Sequence, residues 1–110
     1  MDNAPVYSTL RDRAALADLV REFAGVLPDL AAEIARQADR GALDEVRRLA
    51  HQLKGSAGGY GYPSIMGAAA LIEASAGAGD GAHVTILLRA LRALCARARI
   101  GAGHWAAPVA

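Results

Sequence analysis

One segment of the sequence combines a potential nucleophile with residues that a helix would not otherwise select. His51 is followed by Lys54, the single lysine of the chain, and by glycines at positions 55, 58 and 59. Each glycine costs about 1 kcal/mol relative to alanine in a helix interior, and alanine is abundant elsewhere in the sequence. Glycines kept at that cost indicate that another molecule approaches this part of the helix closely.

The helical phase predicts that these residues share one surface. When Ala50, Leu53 and Ala57 face the core, the positions at i, i+3, i+4 and i+7 from the histidine face outward. This outward set consists of His51, Lys54, Gly55 and Gly58. Arg47 and Arg48 lie one turn earlier, where they are either solvated or in contact with a partner or a phosphate. A neutral imidazole is a nucleophile without a separate base, and a nearby cation would stabilise a phosphoryl group that it accepted.

Other kinds of site find less support in the sequence. No acidic residue near His51 in the sequence falls on this face, so a Ser/His/Asp set is not predicted. His83 and His104 lie on other segments without a metal-ligand pair, and no glycine-rich phosphate loop is present. We therefore expect no metal site and no use of ATP by this chain. The single cysteine, Cys95, cannot form an internal disulfide.

Helical periodicity extends over most of the chain. Residues 1–10 show no pattern and are predicted to form an N-terminal arm, followed by a bundle over 11–100 and a flexible tail over 101–110 that contains the unexplained Trp105. We expect an all-α, antiparallel four-helix bundle of the up-down type. Pro28 either kinks a long first helix or begins a second one, which leaves an extra short N-terminal helix open.

Turn signals divide the bundle into its helices. Gly41 and Gly61 are predicted to end the first two helices. Pro63 occupies the position where proline best opens a helix, and Asp80 is placed to cap the last one.

Composition sets the character of the core and of the surface. The chain has 110 residues, of which 54% are hydrophobic and only 5% aromatic, so the core must consist mainly of Leu, Val, Ile and Ala. Leu19 and Leu30 belong to the stripe predicted to face inward from the first helix. A net charge of +1 argues against nucleic-acid binding, and neither a signal peptide nor a membrane span is visible. We expect a cytoplasmic protein.

The segment around the histidine resembles the signature of a known family. His51-x-Leu53-Lys54-Gly55-Ser56-Ala57-x-x-x-Gly61, preceded by Ala50 and followed by Leu71-Ile72-Glu73 on the next helix, is similar to the signature of histidine phosphotransfer (HPt) domains of bacterial phosphorelays. The resemblance extends over residues 13–99. Gly58, Gly59 and Tyr62 depart from the residues that are common in the family, but the histidine and the lysine match.

The resemblance implies a role for each matching residue. His51 would accept a phosphoryl group from an aspartyl phosphate on a receiver domain and relay it to another receiver, Lys54 would stabilise the phosphate, and Gly55 would leave room for docking. Gly58, Arg47 and Arg48 are further candidates for partner contacts. The partners would be response-regulator receiver domains or a hybrid histidine kinase, and the chain would act as a monomeric phosphocarrier without kinase activity of its own.

The resemblance also implies that the chain needs no cofactor, because magnesium would belong to the receiver. Two alternatives to phosphotransfer stay open at this point. A different reading keeps the same bundle as a docking module that binds a receiver or a kinase without carrying phosphate. Both readings use the surface around Gly55, but only phosphotransfer requires His51 and Lys54. The three glycines, taken alone, are also compatible with close helix packing, above all at Gly58 and Gly59.

Overall fold

Four α-helices make up the fold in the computed structural model, which describes the backbone of residues 4–104 and the side chains of residues 4–103. The helices are α1 (Ala17–Asp39), α2 (Leu43–Gly59), α3 (Pro63–Gly77) and α4 (Gly81–His104). No strand occurs in those residues, and helices α1 and α3 each pack against both α2 and α4. Because short turns link them, consecutive helices run in opposite directions. The predicted antiparallel four-helix bundle is confirmed.

The three turns between helices are closed by the same pattern of two backbone hydrogen bonds. The glycines with positive φ are Gly41 (71°), Gly61 (81°) and Gly79 (75°). At the α2–α3 turn, the Gly61 N–H donates to the Gly58 carbonyl over 3.3 Å and the Tyr62 N–H donates to the Ala57 carbonyl over 2.8 Å. This arrangement satisfies carbonyls that the end of α2 would leave unpaired, and its left-handed residue favours glycine. The predicted helix ends at Gly41 and Gly61 are confirmed.

The helix starts also follow local chemistry. Pro63 is the first residue of α3, as expected. The Asp80 side chain caps α4, because its Oδ1 accepts a hydrogen bond of 3.0 Å from the His83 N–H. Pro28 lies inside α1, which stays a single helix. Since residues 4–16 form only turns and irregular structure, the described part of the chain contains no extra N-terminal helix.

An N-terminal segment, residues 4–16, is bound to the bundle. The hydroxyl of the fully buried Ser8 donates a hydrogen bond of 2.6 Å to the Tyr60 carbonyl, at the end of α2. The Val6 N–H donates to the Arg97 carbonyl of α4 over 3.0 Å. The segment therefore connects the end of α2 to α4.

Helix α4 extends beyond the predicted boundary at residue 100 and continues through His104. The reason lies in packing against the N-terminal segment, which the local sequence does not reveal. A Cβ on Gly101 would lie only 2.3 Å from the Val6 carbonyl oxygen, and Ala102 is 9% exposed. Residues 101–104 are thus helical and not a tail, whereas Trp105 and the rest of the predicted tail lie outside the described residues.

The core is mainly aliphatic, as the composition predicts. Its largest fully buried side chains are Tyr62, Leu27, Ile34, Ile65, Ile72 and Leu91. The prediction that Leu19 and Leu30 face inward is wrong, because they are 50% and 40% exposed. The buried small residues Ala24 and Ala31 take interior positions of α1 instead, where they allow the helices to approach closely. No helix in the described part of the chain has the length and apolarity needed to cross a membrane.

Tyr62 provides a stability prediction. Its hydroxyl is buried without a hydrogen-bond partner among the described residues, and burial raises the pKa of Tyr62 to about 12. Such a group costs about 1–3 kcal/mol, so Tyr62→Phe, which keeps the ring beside Phe23, is expected to leave the free energy of unfolding unchanged or to raise it by about 1 kcal/mol in urea titrations. A fall of more than about 1 kcal/mol would show that the hydroxyl is hydrogen-bonded in solution.

Candidate functional site

The outward face of α2 presents His51, whose side chain is 67% exposed. The opposite face of the helix is anchored by Val46, Ala50, Leu53 and Ala57, all of them buried. Lys54 lies on the outward side with 35% of its side chain exposed, next to the exposed Gly55. The predicted exposure of the imidazole is confirmed, and His51, Lys54 and Gly55 share one surface as expected.

An acidic residue joins this surface from the neighbouring helix. Glu73 of α3 contacts both functional side chains: its Oε2 lies 2.5 Å from His51 Nδ1, and its Oε1 accepts a hydrogen bond of 2.6 Å from Lys54 Nζ. The expectation that no acid lies near His51 is therefore wrong. It considered only α2, whereas Glu73 comes 22 residues later in the chain. Two signals in the sequence point to this contact. One is the expected antiparallel pairing of α2 with α3, and the other is the presence of Glu73 in the family resemblance.

The contact affects the pKa of Glu73 and the tautomer of a neutral His51. The hydrogen bond from Lys54 is the main cause that holds the pKa of the Glu73 carboxyl below its ordinary value; partial burial opposes this shift, and the bond from His51 adds to it. Glu73 is therefore ionised at neutral pH and accepts hydrogen bonds without donating any. A neutral His51 must then carry its proton on Nδ1, so that Nε2 keeps an available lone pair.

The glycines of α2 differ in their surroundings. A Cβ added at Gly55 or at Gly59 would meet no atom within 4 Å, so both positions face open space. A Cβ at Gly58 would lie 2.9 Å from the Met66 sulfur of α3. Gly58 therefore leaves room for the flexible Met66 side chain of α3, whereas Gly55 leaves a bare surface beside His51.

A groove of about 530 Å³ lies next to the histidine between α2 and α3. It is lined by Asp44, Arg47, Arg48, His51, Gln52 and Glu73. Arg48 donates two hydrogen bonds of 2.8 Å to the Glu45 carboxylate. The side chain of Arg47 runs beside Gly77 of α3, with its Cδ and Nε 3.7 Å from the place that a Cβ there would take. Both predicted arginines thus border the groove that contains His51.

The remaining candidates lie elsewhere. His83 Nδ1 is 2.9 Å from the hydroxyl of Ser75, in a contact between α3 and α4, and the side chain of His104 lies outside the described residues. Cys95 is fully buried, and burial raises the pKa of its thiol to about 12. Within residues 4–103, no group of three or more His, Cys, Asp or Glu side chains is arranged to hold a metal ion.

Comparison with known proteins assigns this chain to a family. Residues 18–100 match the family model described as Hpt domain, a span that includes nearly all of α1 and most of α4. No match is found among curated proteins or among solved structures. Hpt domains interact with receiver domains and kinases, in a role related to phosphotransfer in two-component signalling. Since the match covers most of its length, the chain belongs to the Hpt domain family.

Proposed function

We propose that the chain is a phosphocarrier, which accepts a phosphoryl group on His51 from a receiver-domain aspartate and passes it to the aspartate of another receiver. The observation that carries this proposal is the contact of an exposed imidazole with an ionised glutamate. It leaves Nε2 as an accessible nucleophile that needs no further base. The proposed carrier acts as a monomer in the cytoplasm, where receivers operate.

In the proposed reaction, His51 forms one bond through Nε2 and keeps its proton on Nδ1. The Nε2 lone pair of His51 attacks the phosphorus of the aspartyl phosphate. An N–P bond forms while the P–O bond to the aspartyl group breaks, and the carboxylate leaves with the bonding electron pair. The Nδ1 proton stays in the hydrogen bond with Glu73, so the positive charge that develops on the ring faces a carboxylate. The reverse changes transfer the phosphoryl group to the second receiver.

Lys54 is proposed to stabilise the transferred phosphate. Its ammonium group is held near the imidazole because both groups bind Glu73. Only one of its three N–H donors is needed for that bond, so the others are available to phosphoryl oxygens. The chain requires no metal or other cofactor for this role, and the Mg²⁺ of the reaction belongs to the receiver.

The receiver is proposed to dock on a face that we call the docking face, formed by Gln52, Gly55 and Ser56 of α2 with Val26 and Leu30 of α1. All five residues are exposed, and Leu30 shares a depression of about 150 Å³ with Gln52 and Ser56. Exposed aliphatic side chains beside a bare helix surface suit an apolar element of a partner protein. Donor and acceptor receivers would use this face in turn, since each must reach the same imidazole.

The proposal is tested by transfer of radiolabelled phosphate. Purified receiver domains carrying labelled aspartyl phosphate are incubated with the chain, which is then separated and exposed to acid and to base. We expect label on the chain that is stable in base and lost in acid, the behaviour of phosphohistidine. A chain that binds the receivers but gains no such label would be a docking module instead.

Glu73 provides a prediction about the orientation of the nucleophile. Glu73→Ala removes the acceptor of the Nδ1 proton, so we expect labelling by the small donor phosphoramidate to slow by about 10-fold to 100-fold, the value of a hydrogen bond to a charged group. Glu73→Gln keeps an oxygen that accepts this proton and is expected to recover part of the rate. Labelling rates at equal protein and donor concentrations are compared. Equal rates for the alanine variant and the unmodified chain would contradict the assigned role.

A further inference from the structure

The cations around the groove between α2 and α3 differ in their partners. Arg48 is bound through two nitrogens to Glu45, and Lys54 is bound to Glu73. Arg47 also lines the groove, but it forms no hydrogen bond or ion pair with the described residues. Among the described residues, Arg47 thus has no carboxylate partner that offsets its charge.

Helix geometry places Arg47 on the side toward which the His51 side chain leans. Side chains on an α-helix lean toward its N-terminus, so the ring of His51 extends over the preceding turn, where Arg47 lies four residues earlier. Nδ1 is occupied by Glu73 on the α3 side. Asp44 and Arg47, two turns and one turn before His51 on α2, line the same groove as the imidazole.

A phosphoryl group in this place would need a cation. It brings close to two negative charges at neutral pH, and the groove already contains the carboxylates of Asp44 and Glu73. The charge of Arg48 is offset by Glu45 and that of Lys54 by Glu73, although Lys54 keeps N–H donors for the phosphoryl oxygens. A free guanidinium can bind two phosphoryl oxygens at once through paired N–H groups.

We propose that Arg47 binds the phosphoryl group of phosphorylated His51 and so determines how strongly the chain retains it. This inference rests on the proposed phosphocarrier function and assigns to Arg47 a role beyond partner contact. Cδ and Nε of Arg47 lie beside Gly77 of α3, and Arg47 lines the groove together with His51. Retention then favours the phosphorylated chain over the phosphorylated receiver at equilibrium.

The test measures the equilibrium of transfer and not only its rate. Labelled chain and receiver are mixed at dilute concentration, and the ratio of phosphohistidine to aspartyl phosphate is measured after the reaction has stopped changing. Docking contacts change the rate of approach to this ratio, but they do not change the ratio itself, because the separated proteins define it. We expect Arg47→Ala to shift it toward the receiver by about 10-fold, as for loss of a charge-assisted hydrogen bond.

Two further variants and a spectrum complete the experiment. Arg48→Ala, which removes the neighbouring cation already bound to Glu45, should leave the ratio near that of the unmodified chain, and Arg47→Lys should restore part of it. Phosphorus NMR of the phosphorylated proteins should show that the phosphoryl group of Arg47→Ala keeps its proton to higher pH, because a bound cation favours the dianion. Thermal unfolding verifies that all variants are folded.

The failures of the two proposals are distinguishable. If the unmodified chain takes no label on His51, the phosphocarrier function itself is wrong. If it is labelled and Arg47→Ala changes the transfer rate but neither the equilibrium ratio nor the phosphorus titration, Arg47 contacts only the partner and the inference is overturned. An equal shift of the ratio in Arg48→Ala would also overturn it, since the effect would then reflect overall charge.

Discussion

Replacement of His51 by glutamine is expected to abolish phosphorylation of the chain while leaving its fold intact. The imidazole is 67% exposed and contributes little to packing, and substitutions at such positions change stability by about 0.5 kcal/mol or less. The glutamine amide can still donate a hydrogen bond to Glu73, so the carboxylate keeps a partner. What disappears is the nucleophile, because an amide nitrogen has no available lone pair for attack on phosphorus.

The measurement combines label uptake with thermal unfolding. His51→Gln and the unmodified chain are exposed to labelled receivers and to phosphoramidate, and acid-labile phosphate on each is quantified. His83→Gln is the matched control, since His83 is also an exposed histidine on a helix, and it should take up label normally. Persistent acid-labile phosphate on His51→Gln would assign the chemistry to another residue, with His83 and His104 tested next.

The ends and starts of the helices could be predicted from single residues and their nearest neighbours in the sequence. Gly41 and Gly61 predict helix ends because their turns need a left-handed residue, and Pro63 and Asp80 predict helix starts through their own backbone and side-chain chemistry. These signals act within a few residues of one another, so no knowledge of tertiary structure is needed to interpret them. The same holds for the phase of α2, which predicts the exposure of His51.

Features that depend on contacts between distant segments could not be predicted in this way. The approach of Glu73 to His51 depends on how α3 packs on α2. The length of α4 depends on the N-terminal segment, which covers Gly101. The exposure of Leu30 depends on the rotation of α1, which buries small alanines in preference to leucine at the bundle edge. The helical pattern of the sequence is compatible with several packing arrangements, so it does not predict any of these three features.

Gly55 is expected to separate docking from chemistry. Gly55→Gln should raise the thermal stability of the bundle or leave it unchanged, because glutamine stabilises a helix by up to about 1 kcal/mol relative to glycine and a Cβ at this position would meet no atom within 4 Å. The added side chain lies one turn from His51, in the space that a receiver must fill. Since a misplacement of about 1 Å can cost about 100-fold in rate, transfer from a receiver should fall by about that factor.

The contrast between donors makes this prediction specific to docking. Phosphoramidate needs no protein surface, so Gly55→Gln should be labelled by it at a rate close to that of the unmodified chain. Gly25→Gln is the matched control. Gly25 is exposed in the middle of α1, and a Cβ there would also meet no atom within 4 Å. It lies three residues before Pro28, which borders α4. That variant should gain helix stability and keep both reactions. If Gly55→Gln instead unfolds the bundle, or loses labelling by phosphoramidate as well, then Gly55 serves packing or the chemistry of His51, and the docking face lies elsewhere.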